Sequence, residues 1–318
     1  MPTFLFGSDP EFALVYKNQF KSAISVLPEK EKAVKENGNS FYFDNVLAEV
    51  GVRPTGSRSE AVGAINDSLH TLARLVRPAT VVIQASMKYP TSELKSKKAQ
   101  EAGCVPEISA YTLARVVPPE EYVVKDKKTE YMKHVTPVRT VGGHIHLGAN
   151  DGPLQHGMLI PYVVKMLDLF LAVPNLFINK DKTAGGRRKI YGKAGTHRNP
   201  EYGVEYRPLS NDWLSSPVYV ELAYDICEFV LKFVEEKGHE RFWQIDDHLL
   251  DEDDPSIAHR CYGYNVETLR NLIDSCDKKS AESFLLMAFN YLPARLIHAV
   301  ERAVEYQPAD LYEEWGIK

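Results

Sequence analysis

The chain has 318 residues, 44% of them hydrophobic and 25% charged, with a net charge of −5. That composition is ordinary for a globular protein, the length fits one large domain or two small ones, and the charge gives no electrostatic reason to expect non-specific nucleic-acid or acidic-membrane binding. The four cysteines, Cys104, Cys227, Cys261 and Cys276, form no CxxC pair and no zinc-ligand spacing, the pattern of a reduced cytoplasmic protein.

The first residues, Met1 to Asp9, have neither the basic region nor the long apolar stretch of a signal peptide. Residues 3–7 are apolar and run on as a predicted strand to about Tyr16, interrupted by Asp9 and Glu11. Residues 28–40 are charged and end in the turn signal Asn37-Gly38-Asn39. Residues 41–43 and 46–50 read as short strands on either side of Asp44-Asn45, where Asp44 reads as a turn residue. A helix is predicted from about Ser59 to Val76, because Ala61, Ile65, Leu69, Leu72 and Val76 recur at helical spacing.

The β-branched run 80–85 reads as a strand, residues 86–102 as a polar lysine-rich stretch, and residues 118–134 as a loop over the surface. A strand follows at 136–147 and an apolar helix at 154–170, whose Asp168 fits either a buried acid or a solvent-facing one. No stretch approaches the roughly 20 apolar residues of a membrane span. Residues 180–200 look like a basic loop and 204–209 like a strand. Helices are predicted at 217–236, 264–275 and 280–305, the last kinked at Pro293, with the acid-rich residues 246–254 as a solvated connection. Strands early and helices late favour an α+β fold with an antiparallel sheet over a doubly wound one.

Three predicted strands each carry two polar or ionisable residues at i and i+2, which places both on one face. Asp9 and Glu11 lie between apolar residues. Two unpaired carboxylates buried on one face cost several kcal/mol each, a penalty that a hard divalent cation removes; a solvated turn at Pro10 is the plainer alternative. His144 and His146 stand in Gly142-Gly143-His144-Ile145-His146-Leu147-Gly148 and suit a metal or a phosphate. Glu205 and Arg207 either pair with each other or divide between a metal and a phosphate oxygen.

Glu49, inside an apolar run, and Glu60 are further candidate ligands, although Ser57-Arg58-Ser59-Glu60 also fits a helix-opening capping box. Arg187, Arg188, Lys193, His197 and Arg198 form a basic loop near glycines, a composition suited to polyphosphate. No P-loop or dinucleotide fingerprint is present, so a nucleotide would be held by metal and arginine. A short echo, Gly-x-x-Pro-Glu-apolar, joins Gly7–Phe12 to Gly103–Ile108 and draws attention to Glu107 without assigning it a role.

The order acid-x-acid, glutamate, glycine-preceded His-x-His, arginine loop, Glu-x-Arg resembles the glutamine synthetase-like superfamily, and within it the phage-type amidoligases, or carboxylate–amine ligases type 2. The segments that carry the resemblance are Gly7–Phe12, Leu47–Pro54, Gly142–Gly148 and Tyr191–Asn211; residues after about 215 match only in being helical. The resemblance implies one glutamine synthetase-like domain over 1–318, sheet-forming to about 215 and mainly helical from about 216, with a curved, mainly antiparallel sheet and helices on its outer face.

It further implies an ATP- and Mg²⁺- or Mn²⁺-dependent ligase that joins a small-molecule or peptide carboxylate to an amine through an acyl phosphate. Asp9 and Glu11 would hold separate ions, Glu49 joining Glu11, and His144 with Glu205 joining Asp9. Arg198 and Arg207 would contact the transferred phosphate, supported by His146, with Arg187, Arg188 and Lys193 assisting the nucleotide. Asp9 is a shorter acid than the glutamate of glutamine synthetases, and Val105 stands where phage relatives suggest an acid. The implied setting is cytoplasmic, in a bacterial host for a phage-encoded protein, with an oligomer compatible. A metal-dependent amidohydrolase and a catalytically inactive binding protein on the same scaffold are the competing readings; His-x-His amidohydrolases use a parallel barrel.

Overall fold

The computed structural model describes residues 4–102, 107–126, 132–241, 260–261 and 264–318. The expected acid-rich connection 246–254, together with Cys104 and Val105, lies outside the described residues.

The architecture is α+β. The strands among the described residues, in chain order, are β1 (Leu5–Ser8), β2 (Glu11–Tyr16), β3 (Gln19–Lys21), β4 (Val34–Glu36), β5 (Asn39–Asp44), β6 (Leu47–Thr55), β7 (Thr80–Val82), β8 (Ser86–Lys88), β9 (Glu107–Ser109), β10 (Arg115–Val116), β11 (Val123–Lys125), β12 (Met132–His134), β13 (Val138–Thr140), β14 (Ile145–Gly148), β15 (Thr196–Arg198), β16 (Gly203–Tyr206), β17 (Arg260–Cys261) and β18 (Tyr264–Asn265). Twelve of them form one sheet in the order β10-β9-β15-β16-β14-β1-β6-β2-β3, with β5 and β4 continuing from β6, and β7 pairing with β2. Every strand pairing among the described residues is antiparallel, which is not the parallel barrel of the amidohydrolase reading.

The predicted strand 3–16 is two strands. Pro10 has no N–H to continue a ladder, and the chain changes partners on one side there: β1 and β2 both pair with β6, but β1 has β14 on its other side, whereas β2 has β3 and β7. The join is held by the Val50 N–H donating to Pro10 O and the Glu11 N–H donating to Gly142 O. The predicted strand 136–147 is likewise split into β13 and β14, and the surface loop 118–134 contains the β11–β12 hairpin. The basic loop 180–200 contains a helix, Ala184–Ile190, and the strand β15. The predicted helix 280–305 is two, Lys278–Phe289 and Ala294–Glu305, with Pro293 at the N-cap of the second.

Alternation sorts the sheet into an apolar and a polar face. Phe6, Leu147 and Val204 are cross-strand neighbours, as are Phe12 with Ala48 and Phe41 with Val50. All of these side chains are buried in the main core with the helices. The helix α1 (Arg58–Leu75) buries Ala61, Ala64, Ile65, Leu69 and Leu72, the stripe its periodicity predicts.

The continuous helix Ile160–Ile178 is 19 residues long and apolar enough to cross a membrane by composition, a length the sequence reading did not recognise. Its most apolar window is 83% buried within the protein, as a core helix requires. Phe170, in its middle, packs edge-on against Phe229 of the helix Pro217–Arg241 with ring centroids 5.2 Å apart. The helical layer thus fixes one side of the sheet and leaves the residues that alternate with the core to build the other.

Candidate active site

The register that sends Leu147, Val204 and Tyr206 into the core sends their neighbours to the opposite face. His146 lies directly across from Glu205, and Glu205 across from Arg198. On the other half of the sheet, Glu11, Glu49 and Tyr42 form a second cross-strand row. Asp44 shares the face of Tyr42, two residues along β5. Asp9, at the join between β1 and β2, links the halves: its Oδ1 is 3.0 Å from His144 Nδ1 and 3.0 Å from His146 Nε2.

Two sets of possible ligand atoms result. One is Asp9, His146 and Glu205; the other is Glu11, Asp44 and Glu49; within each set the atoms lie within 4.8 Å of one another. His144 adjoins the first, its Nδ1 being 3.5 Å from Glu205 Oε1. Glu11, Glu49 and Glu205 are each 6% exposed, so three acids are withdrawn from water on one face. Burial, followed by the charges of Asp44 and Asp9, pushes the Glu11 carboxyl up to about 7 against the pull of the Gly142 N–H. Burial and the neighbouring acids hold Glu49 well above the ordinary range, and burial with Asp9 raises Glu205 to about 7. Burial also opposes the Asp9 charge, but the two imidazoles outweigh it and keep that carboxyl below its ordinary value.

A carboxylate cluster without a cation is therefore electrostatically unfavourable as it stands. Lys30, 70% exposed, approaches Glu49 only to 3.9 Å, too weakly to neutralise three acids. The all-oxygen set of Glu11, Asp44 and Glu49 fits a hard cation such as Mg²⁺, and the mixed carboxylate–imidazole set fits Mg²⁺ or Mn²⁺.

Arg207 is fully buried among acids. Its Nε donates to Glu107 Oε1 at 2.8 Å and its Nη1 meets Glu205 Oε1. The pairing alternative for Glu205 and Arg207 is thus realised, and Glu107 acquires a structural partner. Arg198 is one-third exposed, with Nη1 3.8 Å from Glu205 Oε1, so its guanidinium is accessible from the polar face. Tyr191 braces the cluster: its hydroxyl is 3.1 Å from His144 Nε2, and the guanidinium carbons of Arg187 and Arg207 lie 5.2 Å and 5.1 Å from its ring centroid. The Tyr202 hydroxyl contacts His146 Nδ1.

The glycines before His144 serve the protein's own packing. A Cβ on Gly142 would overlap the His144 ring, and one on Gly143 would overlap the backbone of Ser210. The Gly142 N–H donates to Glu11 Oε2 at 2.6 Å, and Trp213 Nε1 donates to Gly143 O at 2.9 Å. The loop that presents His144 is thereby tied both to the acids and to the core. A small cavity of about 50 Å³, lined by Glu11, Asp44, His134 and Tyr191 among others, lies against the three-carboxylate set.

Asp9, Glu11, Glu49, His144, His146, Glu205, Arg198 and Arg207 are therefore gathered on one face. Glu60 stands on the exposed first turn of α1, outside both ligand sets, where its Oε2 accepts the Gly56 N–H and its own N–H donates to Ser57 Oγ. That is the capping role its sequence context allowed. Arg187 is 1% exposed and donates to the backbone oxygens of Val141, Arg207, Pro208 and Leu209, while Arg188 donates to Gly192 O. Lys193 is exposed.

Asp168 is fully buried on the helical side, accepting from the hydroxyls of Tyr206 (2.7 Å) and Tyr111 (2.8 Å). Sequence reasoning passed over Tyr42, Tyr191 and Tyr202 and took Asp44 for a turn residue. The Tyr42-x-Asp44 spacing did carry the same-face signal, whereas nothing local marks Tyr191 or Tyr202.

The family model described as Phage phiEco32-like COOH.NH2 ligase-type 2 matches residues 79–317. The match contains Gly142–Gly148 and Tyr191–Asn211 and continues through the C-terminal helices, which sequence reasoning credited only with being helical; Gly7–Phe12 and Leu47–Pro54 fall before it. No curated protein matches the chain.

Proposed function

Since the chain belongs to the phage phiEco32-like COOH-NH2 ligase type 2 family, a family of carboxylate–amine ligases, we propose that it forms an amide bond at the expense of ATP, by way of an acyl phosphate, on the polar face of the sheet. The observation that carries this reading is the adjacency, on one face, of two divalent-ion-compatible sets with Arg207 and Arg198 beside them.

Glu11, Asp44 and Glu49 would hold one Mg²⁺; Asp9, Glu205 and the edge formed by His144 and His146 would hold another. When bound, such ions neutralise phosphate oxygens and the charge that develops during phosphoryl transfer. A carboxylate is a poor electrophile, so its oxygen first takes the γ-phosphoryl group as the bond to the ADP oxygen breaks. The amine nitrogen then attacks the acyl carbon, phosphate leaves, and the nitrogen loses a proton.

The chain's own residues orient these steps. Arg198 is accessible from the polar face and would contact the transferred phosphoryl group, where a planar guanidinium matches its oxygens. Arg207, fixed by Glu107 and Tyr191, supplies a positive charge that needs no reorganisation during the reaction. Burial excludes bulk water from Glu11, Glu49 and Glu205 and strengthens the field they share with Arg207.

The test is a screen of carboxylate and amine pairs with purified protein. A productive pair should release ADP and phosphate only with Mg²⁺ and yield an amide, and Arg198→Ala should lower that release sharply. ATP-independent amide cleavage, or full activity in Arg198→Ala and Glu205→Ala, would overturn the proposal.

A further inference from the structure

A larger cavity, about 340 Å³, opens between the end of the Ile160–Ile178 helix and the Ala184–Ile190 helix, with Ser210 and Lys278 also on its lining. None of the residues of the two ligand sets lines it. Its size is that of a small-molecule site.

The lining is strongly cationic. Lys180, Lys182 and Lys278 are exposed, and Arg187 and Arg188 are buried. The Lys180 amine donates to Phe177 O at 3.2 Å and the Lys278 amine to Asn179 O at 3.0 Å, and both guanidiniums donate to backbone carbonyls. None of the five is ion-paired among the described residues. Asp181 is the acid on the lining, and its carboxylate already accepts from the Thr183 N–H at 2.8 Å, from the Thr183 hydroxyl and from the Ala85 N–H. Acids behind the lining balance part of this charge: Asp212 feels Lys278 and Lys180, Asp274 and Asp168 feel Arg188, and Arg187 feels Glu107 and Glu11, but none of these acids lines the cavity.

Two neutral groups complete the site. Asn175 is 7% exposed and Ser210 is 4% exposed, both line the cavity, and neither side chain has a hydrogen-bond partner among the described residues. Neither side chain is among the fully water-excluded polar groups left without a partner, so both present free hydrogen-bonding capacity to the cavity. Two such groups beside a lining that carries five cationic side chains and one acid point to a ligand that is anionic at one end and hydrogen-bonding along its body. Because lysines and arginines together exceed the charge of one carboxylate, a dianionic head group matches best.

We propose that this cavity binds a small phosphate monoester, with Lys182, Lys278 and Arg188 on the phosphate and Asn175 and Ser210 on the hydroxyl-bearing body. The site is separate from the ligase chemistry and does not depend on that assignment.

Calorimetry with glucose 6-phosphate and with adenosine 5′-monophosphate tests it, run in EDTA so that no divalent ion occupies the carboxylate face. Saturable binding of at least one monoester is expected. It should weaken by about tenfold or more in Lys182→Glu/Lys278→Glu and by about fivefold in Asn175→Ala, with circular dichroism unchanged. Lack of binding of either monoester, wild-type affinity in both variants, or tighter binding of glutarate than of the monoesters would overturn the proposal. Ser210→Ala is a second, nearly isosteric probe; it too should weaken binding, and an unchanged affinity there together with Asn175→Ala would remove the hydrogen-bonding part of the site.

Discussion

Glu11→Gln separates the electrostatic cost of the acidic cluster from its use. Glu11 is buried, and its carboxyl is raised from 4.5 to about 7 by burial and by Asp44 and Asp9. A raised folded-state value means that the unfolded chain ionises first. Stability is then full below about 4.5 and is lost as pH climbs towards 7. The difference of about 2.5 pH units corresponds to roughly 3 kcal/mol at pH 8. Glutamine retains an oxygen to accept the Gly142 N–H but carries no charge.

In EDTA at pH 8, Glu11→Gln should therefore be more stable than wild type in urea unfolding, by up to about 3 kcal/mol, and the gap should close at pH 5. Mg²⁺ at about a thousandfold excess over its dissociation constant should invert the order. Wild type then gains about 4.1 kcal/mol, whereas the variant has lost a ligand and gains far less. A variant less stable than wild type in EDTA at pH 8, combined with equal Mg²⁺ stabilisation of both proteins, would refute the reasoning.

Other consequences are independent of that cycle. Asp168→Asn should flatten the pH dependence of stability between about 4 and 7, because burial raises the Asp168 carboxyl to about 7; the wild-type loss over that window is about 4 kcal/mol, read from urea midpoints. Arg207→Ala should destabilise by about 3–5 kcal/mol by leaving Glu107 and Glu205 buried without their cation, and adding Glu107→Gln should recover part of the stability but none of the activity. Gly142→Ala should displace the His144 ring and cost about 1–3 kcal/mol, with a larger proportional loss in ADP release than in folded fraction.

The sheet and its polar face were legible because alternation is a local signal. Asp9, Glu11, His144, His146, Glu205 and Arg207 stood out as ionisable residues within apolar strands, and they converge. What misled was context beyond the strand. Asp44 looked like a turn residue because Asp44-Asn45 separates two short strands; the turn does bend at Asn45, with φ of 53°, yet β5 carries Asp44 onto the face of Tyr42.

Arg187 and Arg188 suggested phosphate binding by composition; a helix carries both inward, where four backbone carbonyls take up the donors of Arg187, and Arg188 lines the cavity between the helices instead of the acidic face. The single predicted strand from residue 3 to Tyr16 does run along β6 throughout, but it missed the interruption at Pro10 where β14 is exchanged for β3 and β7, and Asp9 and Glu11 fall in different ligand sets on either side of it. Glu107 became intelligible only through a contact with Arg207, 100 residues away.

The assignment of the two ligand sets as cation sites is tested most directly by a Mn²⁺ titration followed by electron paramagnetic resonance. Wild-type protein should bind two ions at neighbouring positions with resolvable spin coupling. Glu11→Gln and Asp9→Asn should each abolish or greatly weaken one of them, leaving an uncoupled signal. Stoichiometric binding that both variants leave unchanged, or no Mn²⁺ bound by folded wild-type protein, would contradict it.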